Sequence, residues 1–99
     1  MAERLILLTE AVRDIADAYQ WYERRSPGLG RRFVESVEFC LDAIQRSPDM
    51  YAFAYKTYRR AKLRRFPYLI FYEHTSDAVT VYSVFHTARD PRHWRDRLP

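Results

Sequence analysis

Ninety-nine residues, 47% hydrophobic and 30% charged, leave room for one domain over residues 1–99 and no second, since single cores form from about 50 to 200 residues. The longest uncharged apolar stretch, Phe66 to Tyr72, is far shorter than the ~20 residues that cross a bilayer, and no basic-then-apolar leader opens the chain, so a cytoplasmic protein without membrane contact is expected. The lone Cys40 excludes an internal disulfide and a cysteine zinc cluster, and a net charge of +4, split into −2 over residues 1–50 and +6 over residues 51–99, directs the search to the second half.

Leu5 to Leu8 form an apolar run too short for a helix and consistent with a strand buried on both faces. Thr9 is placed to cap a helix whose apolar positions Val12, Ile15, Ala16, Tyr19 and Tyr22 are spaced three and four apart. Ser26-Pro27-Gly28-Leu29-Gly30 breaks it, because proline lacks the amide hydrogen of a helix interior and glycine supplies the turn's positive φ. Phe33, Val34, Val37, Cys40, Leu41 and Ile44 then predict a second helix up to Ser47-Pro48, and so short a link predicts an antiparallel helical hairpin.

Asp49 to Thr57 lacks a clean period and reads as a loop, although Tyr51, Phe53 and Tyr55 alternate. Tyr58 to Arg65 alternates as a strand, with Ala61 and Leu63 on one face and Arg60, Lys62 and Arg64 on the other. Tyr68 to His74 and Val79 to His86 are aromatic and β-branched runs joined by Thr75-Ser76-Asp77-Ala78, which predicts a hairpin. Asp90 and Pro91 are the cap and first residue of a short terminal helix. The order β-α-α-β-β-β-α predicts an α+β fold, a small antiparallel sheet packed against an N-terminal helical hairpin.

Arg59-Arg60-Ala61-Lys62-Leu63-Arg64-Arg65 is the strongest local feature. On one strand, Arg60, Lys62 and Arg64 form a cationic row about 13 Å long, suited to several phosphates. A charged solvated face that discourages aggregation is the plainer explanation of the same row. Fifteen of the 17 basic residues are arginine, the side chain built for bidentate contact with phosphate or carboxylate. Arg59, Arg60, Lys62, Arg64, Arg65, Arg89 and Arg92 are accordingly candidates for binding an anionic partner. Trp94 could join them by stacking on a base or could simply pack on the core.

His86 at a strand end is a candidate acid or base, or a structural histidine. His74, His86 and His93 show no metal-ligand spacing, and neither a cofactor motif nor a glycine-rich phosphate loop is present. Any nuclease chemistry would then rest on arginine and lysine stabilising a charged transition state.

Ala18-Tyr19-Gln20-Trp21-Tyr22, the break Ser26 to Gly30, Leu63 to Tyr72 and His86-Thr87-Ala88-Arg89-Asp90-Pro91-Arg92-His93-Trp94 together resemble the RelE/ParE toxin superfamily over nearly the whole chain. The resemblance implies the toxin of a type II toxin–antitoxin, or plasmid-stabilisation, module held inactive by a cognate antitoxin. RelE-like members cut mRNA on the ribosome with basic residues of the sheet, and Lys62, Arg64 and Arg89 would match those roles, with His86 beside them. ParE-like members instead poison DNA gyrase and need no catalytic residue. The tail departs from the RelE pattern, with Trp94 near where a tyrosine commonly sits, and His-x-x-Arg-Asp-Pro is closer to the ParE branch. An inert relative that keeps only the antitoxin contact, or a simple nucleic-acid binder, is the third possibility.

Overall fold

A computed structural model describes residues 3–99. The elements run β1 (Arg4–Leu7), α1 (Thr9–Arg25), α2 (Leu29–Arg46), β2 (Phe53–Tyr55), β3 (Tyr58–Lys62), β4 (Tyr68–His74), β5 (Ala78–His86) and α3 (Pro91–Arg97). They build one five-stranded sheet in the order β1-β5-β4-β3-β2. β1 runs parallel to β5 and the other pairs are antiparallel, so the sheet is mixed. The α+β architecture and the helical hairpin are as expected. The added strand β2 occupies three residues of the predicted loop, where Phe53 and Tyr55 do alternate.

β1 enters α1 without a linker. The Leu8 amide still donates to the Val81 carbonyl, and the Leu8 carbonyl already accepts from the Val12 amide. Leu8 is therefore the N-cap and Thr9 the first helical residue, so Thr9 caps nothing. β1 is also less buried than expected: Leu5 and Leu7 pack on the main core, but no residue of the strand is fully covered.

α1 turns Ala11, Ala18 and Tyr22 inward with Ile15 beside them, while Val12 and Tyr19 are 50% and 38% exposed. The predicted stripe is thus rotated by about one position. The reason lies at the α1–α2 crossing: a Cβ on Gly30 would come 2.6 Å from the Tyr19 carbonyl oxygen, so glycine sets how closely the two backbones approach. The Glu23 carboxylate accepts hydrogen bonds from the Gly28 and Gly30 amides and so caps α2 from the neighbouring helix.

The hairpin covers one face of the sheet. Phe33, Val37 and Ile44 of α2 meet Ala61, Ile70, Tyr72, Val79, Val81 and Val84 in the main core. Tyr22, Phe33, Phe66 and Tyr68 add an aromatic cluster with centroids 5.0 to 6.2 Å apart. Tyr72 is fully buried, its hydroxyl donates to the Pro48 carbonyl at 2.6 Å, and burial pushes its pKa well above the usual phenol value. Burial likewise pushes the Cys40 thiol up to about 11, which leaves it in the unreactive thiol form.

The opposite face has its own smaller core of Tyr58, Phe71, Phe85, Trp94 and Leu98, closed by α3. Asp90 caps α3 as predicted, accepting from the Arg92 amide at 2.9 Å with Pro91 in the first turn. Trp94 stacks on Phe71 with centroids 4.4 Å apart. Helices therefore lie on both sides of the sheet.

Candidate functional site

Alternation along β3 sends Tyr58, Arg60 and Lys62 to the α3 face and Arg59 and Ala61 to the hairpin face. Cross-strand pairing then sets the surroundings of the cations. Arg60 lies opposite Phe71, and Lys62 lies opposite Leu69, which in turn faces Phe85. The Arg89 guanidinium sits over the Phe85 ring, 4.6 Å from its centroid. Two strand spacings, about 10 Å, separate the Lys62 and Phe85 rows. Exposed Arg60, Lys62 and Arg89 thus border one surface beside α3.

The predicted cationic row does not extend to Arg64. β3 ends at Lys62, and the chain turns back with Arg65 in the left-handed region at φ 68°. The Leu63 amide donates to the Tyr68 carbonyl to close this turn. Arg64 consequently lies over Phe39 of α2, 4.6 Å from the ring centroid, away from Arg60 and Lys62.

The remaining candidates have separate environments. Arg59 is engaged internally: it donates to the Tyr51 carbonyl at 2.6 Å and to the Asp49 carbonyl at 3.2 Å, and its guanidinium covers Phe53. It holds β2 and the segment before it against β3. His86 packs edge-on against Tyr68, with ring centroids 5.2 Å apart, and its Nδ1 accepts from the Ala88 amide at 3.0 Å. That bond fixes the turn leading to Arg89. Arg92 pairs with Asp90 across the helix start and is largely solvent-exposed. Trp94 is buried in the smaller core, so its stacking partner is Phe71.

Arg97 was not singled out by sequence. β1 stops opposite Val81, so beyond it the edge of β5 needs other partners. Asp14 of α1 supplies one, accepting from the Val84 amide at 2.9 Å. Arg97 supplies another, donating to the Tyr82 carbonyl at 3.3 Å and to the second Asp14 oxygen at 2.9 Å. It also lies 3.3 Å from a Glu10 carboxylate oxygen and over Phe85. One carboxylate therefore joins α1, the open sheet edge and α3. The only local sign in the sequence is an acid on the polar side of α1, since Asp14 and Arg97 stand 83 positions apart.

The second polar node is His74. Its Nδ1 lies 2.8 Å from an Asp49 carboxylate oxygen, and its Nε2 lies 3.4 Å from Glu3. The hydrogen bond to Asp49 raises the His74 pKa, and the same bond lowers that of Asp49.

Residues 5–91 match the family described as the ParE toxin of the type II toxin–antitoxin system, parDE. Toxin ParE2 of Mycobacterium tuberculosis is 27% identical over 92 residues, which covers 92% of this chain and 88% of that protein. The chromosomal ParDE system from P. aeruginosa contains a chain of the same fold, with a TM-score of 0.76 at 15% identity over 86% of this chain and 96% of the other. A chain of the toxin–antitoxin complex RelBE2 from Mycobacterium tuberculosis aligns with a TM-score of 0.62 at 21% identity, over 87% of this chain and 99% of the other. A mutant of E. coli toxin RelE in the free state gives 0.60 at 17% identity, over 98% and 95%. With a family match running from β1 to the start of α3 and the fold common to these toxins, the chain belongs to the ParE toxin family of type II toxin–antitoxin systems.

Proposed function

We propose that this toxin acts in the cytoplasm by docking on DNA gyrase, without chemistry of its own, and that a cognate antitoxin neutralises it. The observation that carries this reading is that two of the four candidate catalytic side chains, His86 and Arg64, stand apart from the other two. Lys62 and Arg89 border the α3 face, His86 packs against Tyr68, and Arg64 lies against α2. His86 and Arg64 thus stand apart from the surface that Lys62 and Arg89 border, whereas acid–base catalysis on RNA needs its groups within reach of one reacting centre. The likeness to Toxin ParE2 supports the same direction.

An antitoxin partner is supported by the toxin–antitoxin systems among the structural relatives. It is also supported by a groove of about 440 Å³ where Leu5 and Leu7 of β1 meet Ile15, Val34, Val37 and Leu41 of the hairpin, with Glu38, Asp42 and Gln45 completing the lining. Purified toxin should inhibit supercoiling by purified gyrase in a dose-dependent way, and adding the protein encoded beside it should restore activity. Unchanged supercoiling over the full range of toxin concentrations would reject the gyrase reading.

One observation favours the alternative of a ribosome-dependent, metal-independent mRNA endonuclease: Arg60, Lys62 and Arg89 do border a common surface. That reading requires codon-linked mRNA cuts that persist in chelator and disappear in Lys62→Ala combined with Arg64→Ala. Intact transcripts during growth arrest would remove it.

A further inference from the structure

The net positive charge of the chain sits at one end of the molecule. The α1–α2 turn, the β3–β4 turn and the turn from β5 into α3 meet there. Tyr22 packs against Phe66 and Tyr68 with centroids 5.0 and 6.2 Å apart, Tyr68 pairs with His86, and the Thr87 amide donates to the Pro67 carbonyl at 2.8 Å. Arg24, Arg25, Arg31 and Arg32 flank the first turn. Lys62, Arg64 and Arg65 line the second, and Arg89 stands in the third. Residues 23–35, 62–68 and 86–90 thus carry eight cations and three acids, net +5, which leaves −1 for the rest of the chain.

All eight cations are exposed, and the three acids barely offset them. Glu23 accepts from the Gly28 and Gly30 amides, Asp90 pairs with Arg92, and Glu35 lies 3.6 Å from Arg31 with both side chains mostly in solvent. Fold stability does not account for the cluster. Like charges gathered at one end repel, and Arg31 stands in the first turn of α2, at the positive end of the helix dipole. Three of the guanidinium groups are also held in place by rings: Arg25 lies 4.1 Å from the centroid of Trp21, Arg64 4.6 Å from that of Phe39, and Arg89 4.6 Å from that of Phe85. A side chain already ordered in this way loses less freedom when it binds.

We propose that this end of the toxin binds the phosphate backbone of duplex DNA, with Arg24, Arg25, Arg31 and Arg32 of the hairpin tip as its main contacts. A duplex offers evenly spaced charges, one per ~1.7 Å of axis, to cations carried on three separate turns. A single strand fits less well. Its bases need open rings to stack on, and the exposed rings here, Trp21 and Phe39, already carry guanidinium groups. The proposal does not rest on the gyrase reading, because the test contains DNA alone and its failure leaves that reading standing.

The test is fluorescence anisotropy of a labelled duplex of about 20 base pairs, titrated with the full chain between about 50 and 200 mM salt. The logarithm of affinity should fall linearly with that of salt, with a slope of about −4 for about four contacted phosphates. Arg24→Gln combined with Arg32→Gln should weaken binding about ten-fold and make the slope shallower by about two. Arg4→Gln combined with Arg46→Gln removes the same charge from the opposite end, at the start of β1 and the end of α2, and should leave affinity within about two-fold. All four side chains are exposed, so unchanged melting temperatures will show that both variants fold.

Equal losses in the two double variants would mean attraction to net charge alone and would overturn the proposal. So would tighter binding of a single-stranded oligouridylate than of the duplex, or no change in anisotropy up to about 100 µM protein at the lowest salt.

Discussion

On the hairpin face of the sheet, Phe33, Ile44, Ile70, Tyr72, Val79 and Val81 all reach zero exposure under two helices of 17 and 18 residues. On the other face a helix of seven residues covers Phe71 and Phe85 with Trp94 and Leu98, and leaves Arg60 and Lys62 in solvent. The first face carries most of the burial that holds the fold. The second carries a small core on a C-terminal helix, beside exposed Arg60, Lys62 and Arg89. Elements with few buried contacts open locally at lower cost than the whole molecule. A change under the hairpin should therefore unfold the chain, whereas a change under α3 should first release the tail.

The largest expected effect breaks this contrast if it is false. Phe33→Ala should cost about 3 to 5 kcal/mol, as for other buried aromatics, and lower the single unfolding transition. Trp94→Ala removes as large a side chain, but its cost is bounded by the docking energy of α3. Native-state hydrogen exchange should then accelerate at residues 92–98 while the amides of Ile70 to Tyr72 keep their protection. Equal acceleration in both segments would make the two cores one cooperative unit.

Asp14→Ala probes the join between the faces. It leaves the Val84 amide and Arg97 without their shared acceptor. Charge-assisted hydrogen bonds of this kind contribute about 1.5 to 3 kcal/mol, and the pair is only partly shielded from water, so the lower end is expected. The exchange pattern should resemble that of Trp94→Ala, with α3 affected most. Gly30→Ala acts within the hairpin instead. Its clash with the Tyr19 carbonyl costs about 1 to 3 kcal/mol, and the better helix propensity of alanine returns up to about 1, so a net loss near 1 is expected.

The elements that sequence revealed are those with a local cause. Proline and glycine at the hairpin break, the period of two in β4 and β5, and the Asp90-Pro91 helix start each act within a few residues. What stayed hidden depends on partners far along the chain. β2 has three residues and an irregular register, so its alternation was too brief to separate from a loop. α1 carries apolar residues on two adjacent stripes, and only the close approach at Gly30 selects the one containing the small Ala11 and Ala18. The arginine run read as one straight cationic strand. The turn at Arg65 divides it, which separates Arg64 from Lys62 and sets it over Phe39 of α2.

The smallest effect is electrostatic and lies at the far end of β4, where His74 bridges Asp49 and Glu3. The His74 pKa is raised in the folded chain, so its contribution is complete below the unfolded value of about 6.5 and is lost as pH rises through the folded value. Asp49 has the opposite sign: its lowered pKa gives stability above the ordinary carboxylate value, lost as pH falls through the folded one. The pair thus favours the folded state most between these limits, in mildly acidic solution. Melting temperature should decline from about pH 6.5 upward in the native chain, and His74→Gln should flatten that decline while barely altering stability above it. This node lies among β1, β4 and the segment before β2, away from Trp94, so exchange at α3 should not follow the titration. Parallel pH dependence at α3 would mean that the two ends of the sheet are coupled, and the separation between a rigid core and a releasable tail would have to be abandoned.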